Sequence, residues 1–224
     1  MSSDQKDEIR ALAAAIRELP SATWPGGYAE TGLALLDAVY SVNARYEPTT
    51  LNVIRRYREH RGDRADADTV EDLLQVIEGA GGPERFAADI VHNRQRTSTT
   101  NGILKADAVH QLAGLLVSHG TTAKSQVEKL SPEQLKDVET AWRSVRGQGS
   151  GITWRYFLML LNLDGVKPDR MIMRFISDTI GRSPRVDEAV DLITAAAAEA
   201  GLRAIEADHR IWRSRSGVRH PRTG

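Results

Sequence analysis

Residues 131–163 read SPEQLKDVETAWRSVRGQGSGITWRYFLMLLNL, and this stretch decides how the chain is built. Ser131, Pro132 and Gln134 spell a helix start: a hydroxyl N-cap, a proline at the first helical position, and an amide that can reach back to the cap. Leu135, Val138, Ala141, Trp142 and Val145 then recur at helical spacing. The loop Arg146-Gly147-Gln148-Gly149-Ser150-Gly151 follows. Three glycines at alternate positions are costly in any regular element and make sense where the backbone turns sharply. A second, very apolar helix is expected over 152–163. Its first N–H groups have no partner within the helix and suit an anion such as phosphate. A tight interhelical turn with no ligand accounts for the same glycines. The loop is not a dinucleotide fingerprint, because no strand precedes it.

Outward from this pair, amphipathic spacing dominates both flanks. Upstream, Ile9, Leu12, Ile16 and Leu19 share one face of a first helix ended by Pro20. Leu33, Leu35, Leu36, Ala38 and Val39 form an apolar run. Pro48 and Thr49 open a helix through Leu51, Val53, Ile54 and Tyr57. Asp68 is placed to cap one carrying Val70, Leu73, Leu74 and Ile77. Pro83 sits where a first helical residue belongs. Ile103, Ala106, Val109, Leu112, Leu116 and Val117 make one stripe, stopped by Gly120. Downstream, helices are expected from near Pro168 through Phe175 and Ile176, over about 186–200, and over 203–213. The reading is all-α, about ten helices with short connections and no fixed-period repeat.

Composition narrows the function. The chain has 224 residues, 41% hydrophobic and 27% charged, which is globular rather than disordered. It has no cysteine, which excludes disulfides, thiolate catalysis, cysteine-ligated zinc and iron–sulfur clusters. No apolar run approaches a membrane span, and the polar start MSSDQKDEIR is no signal peptide. A cytoplasmic protein without a membrane role is expected. Thirty basic residues balance thirty acidic ones, yet residues 141–185 hold eight basic side chains (Arg143, Arg146, Arg155, Lys167, Arg170, Arg174, Arg182 and Arg185) against Asp164, Asp169 and Asp178. A second basic stretch runs from Arg210 to Arg222. Such patches suit phosphates, although a solvated helix face looks the same. The six histidines show no metal-ligand spacing, so no metal and no cofactor are expected. Trp142, Trp154 and Trp212 sit on helical patterns as core, whereas Trp24 lies in a loop.

The array of glycine turn, apolar helix and Pro168-Asp169-Arg170, with Arg174 and Phe175 beyond, resembles the helix–hairpin–helix DNA glycosylases of the endonuclease III superfamily. Residues 147–151 fall on that family's hairpin pattern G-V-G-x-K without a gap. Asp169 lies eighteen residues past Gly151, at the family's catalytic aspartate, and Arg174 falls on its arginine five residues further on. The helix at 102–119 resembles the family's lysine–alanine-bearing helix. Ala34 to Val39 resembles the early helix carrying the residue wedged into the DNA stack, and Ala207 to Trp212 the closing helix. Three positions depart: Gly151 replaces the lysine of bifunctional members, Gln148 an apolar hairpin tip, and Pro168 the aliphatic residue before the aspartate.

The resemblance implies a two-lobed helix–hairpin–helix fold, with a central lobe over 30–165 and a second formed by 1–29 and 166–224, and a DNA cleft between them. It implies a monofunctional glycosylase that removes a damaged or modified base and leaves an abasic site. Asp169 would be the catalytic carboxylate. Gly147, Gln148, Gly149, Ser150, Gly151, Arg155, Lys167 and Arg170 would contact duplex DNA, and Asn43, Arg45 and Tyr46 would serve base flipping or the lesion pocket. Without an amine at position 151, no Schiff base and no strand cleavage follow. No obligatory protein partner is implied. Taken singly, Asp169 reads first as a helix N-cap, and Asn43, Arg45 and Tyr46 first as a polar helix end. Two other classes stay open: a non-enzymatic DNA-binding protein that kept the hairpin, and a helical interaction module whose glycine turn is only a turn.

Overall fold

The computed structural model describes residues 3–215; residues 216–224, which carry Arg222, His220 and the rest of the basic tail, lie outside the described residues. Among the described residues there are twelve α-helices and no strand, with one isolated bridge between Arg96 and Leu104. The helices are α1 (Ser3–Glu18), α2 (Thr31–Tyr40), α3 (Asn52–Arg61), α4 (Val70–Gly79), α5 (Pro83–Arg85), α6 (Lys105–Ser118), α7 (Lys124–Val127), α8 (Pro132–Ser144), α9 (Ile152–Leu160), α10 (Arg170–Ile180), α11 (Val186–Glu199) and α12 (Ala204–Arg215). None is long and apolar enough to cross a membrane. The short α5 and α7 bring the number above the sequence expectation of ten; neither is long enough to show a period.

The chain divides into two compact units: residues 27–162, and the two ends, 3–26 and 163–215 among the described residues. Unit 27–162 is built around α2. All ten residues of α2 are buried, so it has no solvent face, and α3, α4, α6 and α9 all contact it. Such a helix needs its polar groups met from inside the protein. Lys105, 1% exposed, does so at its C-terminal end. Its Nζ donates to the carbonyls of Tyr40 (3.0 Å) and Val42 (2.6 Å) and to Gln95 Oε1 (3.0 Å). Burial pushes the ammonium pKa down to about 8. Three acceptors and the negative end of the helix dipole sustain the charge at neutral pH.

Several caps match the sequence pattern, and two starts do not. Ser131 and Gln134 form a capping box, and Pro132 and Pro83 sit at helix starts. A π-helical turn, Tyr46–Leu51, leads into α3 in place of a start at Pro48. Asp68 does not cap α4. Thr69 does, with Asp72 completing the box. Asp68 is 3% exposed and receives Arg61 bidentately (2.6 and 2.7 Å) and the Tyr57 hydroxyl (2.7 Å). A buried carboxylate needs a counter-charge more than a helix end needs this particular cap.

Unit 3–26/163–215 packs α1, α10, α11 and α12 around Leu12, Ile16, Ile172, Ile176, Leu192, Ile193 and Ile211. Val166, from the segment before α10, joins this core.

Replacing Lys105 with Met would strand two carbonyls and an amide oxygen in the core. A loss of about 3 kcal/mol is expected in urea unfolding. Asp68 sets an acid limit. Burial raises its carboxyl, but the hydrogen bonds from Arg61 and Tyr57 outweigh that and hold it below the usual range. A depressed carboxylate stabilises above the unfolded-state pKa and loses this as pH falls through the folded one. The urea midpoint should therefore drop below about pH 4, and Asp68→Asn should flatten that limb while lowering the midpoint at pH 7.

Candidate nucleic-acid interface and active-site carboxylate

Within unit 27–162, the turn from Val145 to Gly151 joins α8 to α9. It is closed by Gln148 N–H to Val145 O (2.9 Å) and Gly151 N–H to Gln148 O (3.0 Å). Packing explains two of its glycines. Gly147 has φ +89°, and a Cβ there would come within 2.5 Å of the Thr97 side chain. Gly151, φ +71°, is the left-handed residue from which α9 departs, and a Cβ would press on Glu139 at 2.9 Å. A Cβ at Gly149 would meet only the Arg143 carbonyl, at an ordinary 3.9 Å; the Gly149 carbonyl accepts from Arg143 Nε at 3.0 Å.

Gln148 corrects the sequence expectation. Its side chain is 1% exposed and turned inward, accepting from the Thr153 hydroxyl, which in turn accepts from Trp142 Nε1 at 2.9 Å. This chain ends on the Trp142, Trp154 and Phe157 cluster, whose ring centroids lie 5.2–5.8 Å apart. The side chain braces the turn and cannot also touch a duplex. What the turn offers outward is backbone. Gly147, Gly149 and Ser150 are exposed, and among the described residues the Gly149 and Ser150 N–H groups have no acceptor in the protein.

Six of the eight basic side chains of 141–185 divide into two sets. Arg182 is held by Glu8 and Glu188, at 2.6 Å each, and Arg143 and Arg155 face Glu139 at 4.0 and 3.9 Å. Arg146, Arg170 and Arg174 are exposed and enter none of the ion pairs of the described residues. The carboxylates that thin the patch, Glu8, Glu139 and Glu188, lie outside the 141–185 window, so local charge counting missed them.

In the same unit, Asn43 is exposed with φ +50° just past α2, and Arg45 is exposed at the start of the π-helical turn. Tyr46 is not a free wedge. It is half-buried and donates its hydroxyl to Asp37 Oδ2 at 2.6 Å; Tyr28 donates to the same oxygen at 2.8 Å. Tyr156 hydrogen-bonds Tyr46. Burial and the Asp37 charge push the Tyr28, Tyr46 and Tyr156 hydroxyls far above the usual phenol range, so they act as donors. The sequence did hold a signal for this cluster: Asp37 is the lone charge in the apolar run 33–39.

Asp169 belongs to the other unit. It is half-buried and is the N-cap of α10, its Oδ1 accepting from Met171 N–H (2.7 Å) and Ile172 N–H (3.3 Å). Beside it stands Asp208 of α12, 5% exposed, whose Oδ1 accepts from Lys167 N–H at 2.8 Å. Burial raises the Asp208 carboxyl well above the usual range, the Lys167 N–H bond opposes this, and the Asp169 charge adds to it. Trp24 meets His209 edge-on, with centroids 5.5 Å apart, and His209 stacks on Trp212 at 6.3 Å. Among the described residues no group of three or more His, Asp or Glu side chains is arranged to hold a metal ion.

The molecule is thus an all-α protein with a backbone-lined glycine turn ahead of α9 and, at Asp169, a half-buried carboxylate that caps α10. The chain belongs to the family described as a domain of unknown function (DUF8548), whose model matches residues 7–216. No curated protein and no solved structure matches it.

Asparagine can cap α10 as aspartate does, whereas alanine cannot. Asp169→Asn should therefore melt within about 2 °C of wild type, and Asp169→Ala should lose about 1 kcal/mol. Thermal denaturation with full far-UV signal checks both.

Proposed function

We propose that the protein is a monofunctional DNA glycosylase of the helix–hairpin–helix type, acting in the cytoplasm on duplex DNA that carries a damaged or modified base. The observation that carries this reading is the pairing of two features at one sequence interval. A glycine turn opens α9 with exposed backbone N–H groups, and eighteen residues beyond Gly151 a half-buried carboxylate opens α10. In this reading the turn is the hairpin and holds a phosphate through its backbone. Arg146, Arg170 and Lys167 add phosphate contacts.

The chemistry asked of Asp169 is modest. As the N-glycosidic bond breaks, its electron pair leaves with the base and positive charge grows on the sugar. The Asp169 carboxylate stabilises that charge through Oδ2, since Oδ1 is held by α10, and orients a water toward the anomeric carbon. The water oxygen bonds to that carbon; one of its protons passes to Asp169 and then to the departing base. The products are a free base and an abasic site. No lysine stands at position 151, so no covalent amine adduct forms there and the strand stays intact.

A second reading, a non-enzymatic DNA-binding protein, is favoured by one observation: Asp169 already has a structural task in capping α10. The two part on base release. Duplexes carrying alkylated, deaminated or enzymatically modified bases, incubated with wild type and then treated with hot alkali, should break at one lesion, and without alkali they should not. Asp169→Asn should abolish this, by at least about 100-fold, with DNA affinity retained. Salt-sensitive binding without base release on any lesion would establish the second reading. In either case, Arg170→Ala should weaken binding across sequences and lower the salt slope by about one.

A further inference from the structure

The segment between α9 and α10 is fastened to α12 from both directions. Asp164 sends its carboxylate to the start of α12, accepting from Ile205 N–H at 2.9 Å and Ala204 N–H at 3.3 Å. Asp208, one turn further along α12, sends its carboxyl back to the segment and accepts from Lys167 N–H at 2.8 Å. Between these two ties Val166 is buried in the core of the unit, and just past the second Pro168 is buried as well. The segment then makes a tight bend, Asp169 N–H to Lys167 O at 2.6 Å, and delivers Asp169.

From this reciprocal clasp we infer that Asp208 is a positioning residue for Asp169: it fixes the backbone two residues upstream and thereby sets where the Asp169 carboxylate stands. The inference rests on the glycosylase reading for its catalytic consequence, though not for its geometry.

Several physical points support it. A carboxyl 5% exposed is expensive unless bonded, and the bond Asp208 makes is to the backbone of the Asp169 segment. Proline at 168 has no N–H to donate and a restricted φ, so the segment cannot be tied through that residue's backbone nitrogen. Lys167 N–H is the donor immediately upstream, and Asp208 secures it. Burial and the Asp169 charge favour the neutral form of Asp208 and outweigh the Lys167 N–H bond and ammonium, which favour the charged one. The clasp therefore supplies an acceptor oxygen without bringing a second full negative charge beside Asp169. Had α12 placed an ionised carboxylate there, the two charges would repel and loosen the segment they share. Placement matters because an error of about 1 Å in a reacting group costs about 100-fold in rate.

Two variants separate positioning from charge. Asp208→Asn keeps Oδ1 in place, neutral, and still able to accept from Lys167. Asp208→Ala removes the acceptor. Two measurements are made on the full chain: amide hydrogen exchange by NMR, and single-turnover base release on the responsive lesion with the affinity for that duplex. In wild type and Asp208→Asn, the Lys167 and Met171 amides should be protected to similar extents. In Asp208→Ala both should exchange at least about tenfold faster, while core amides of α11 such as Leu192 and Ile193 stay protected. Base release should fall about 100-fold in Asp208→Ala with duplex affinity unchanged, and stay within a few-fold of wild type in Asp208→Asn. Should Asp208→Ala fail to fold, Asp208→Ser, too short to reach Lys167, replaces it. Unchanged Lys167 and Met171 protection in the shortened variants would overturn the inference, as would wild-type base release by them. Wild type that releases no base defeats the glycosylase reading instead, and the Met171 amide, bonded to Asp169 itself, still decides whether Asp208 positions that carboxylate.

Discussion

A helix buried on every side imposes the first constraint on this molecule. With no solvent face on α2, each polar group on it must be met by protein. Lys105 meets the carbonyls at its C-terminal end, and Tyr28 and Tyr46 meet the carboxylate of Asp37 halfway along it. These contacts pull in elements distant in sequence. Lys105 brings the start of α6, and Tyr28, whose own N–H bonds Leu160 O at the end of α9, brings the segment ahead of α2. The loop after α2 is thereby held at both ends, by Lys105 at Val42 and by Asp37 at Tyr46, leaving Asn43 and Arg45 exposed between.

Buried ionisable groups recur as the organising device. Asp37, Asp68, Lys105 and Asp208 are all nearly inaccessible, and each is bonded to groups beyond its own helical turn, from Arg61, 7 residues from Asp68, to Tyr40, 65 residues from Lys105. Breaking such a contact is costly even where forming it contributes little net stability. These groups thus fix geometry, and they do so around the segments on which the proposed function depends: the loop after α2, and the approach to α10. The glycine turn is held differently, by the inward Gln148 and the close approach of Gly147 to Thr97. Its outward face from Gly147 to Ser150 is mostly backbone, which in the proposed function would hold a phosphate rather than read a base.

The all-α class and most helix starts were legible in the sequence because they depend on local chemistry. Ser131–Gln134, Pro83 and Asp169 cap or open helices through groups within three residues of one another. Asp68 was misread for the complementary reason. As a potential cap it competes with Thr69, and Arg61 and Tyr57, which win it, come from the preceding helix. Gln148 and Tyr46 look like surface residues in a polar loop, and only the positions of Thr153 and Asp37 turn them inward. Charge counting over 141–185 failed similarly, since Glu8 and Glu188 neutralise Arg182 from outside that window.

The sequence by itself determined the helical class, the glycine turn between two apolar helices, and the aspartate eighteen residues beyond it, because periodicity, capping and backbone strain are properties of neighbouring residues. Tertiary structure alone decided which of the candidate side chains face solvent, which arginines keep an uncommitted charge, and that Asp208 grips the approach to Asp169. Those outcomes depend on desolvation and on partners beyond one helical turn, from Thr153 with Gln148, 5 residues apart, to Lys167 with Asp208, 41 apart, and no periodic or capping pattern encodes them.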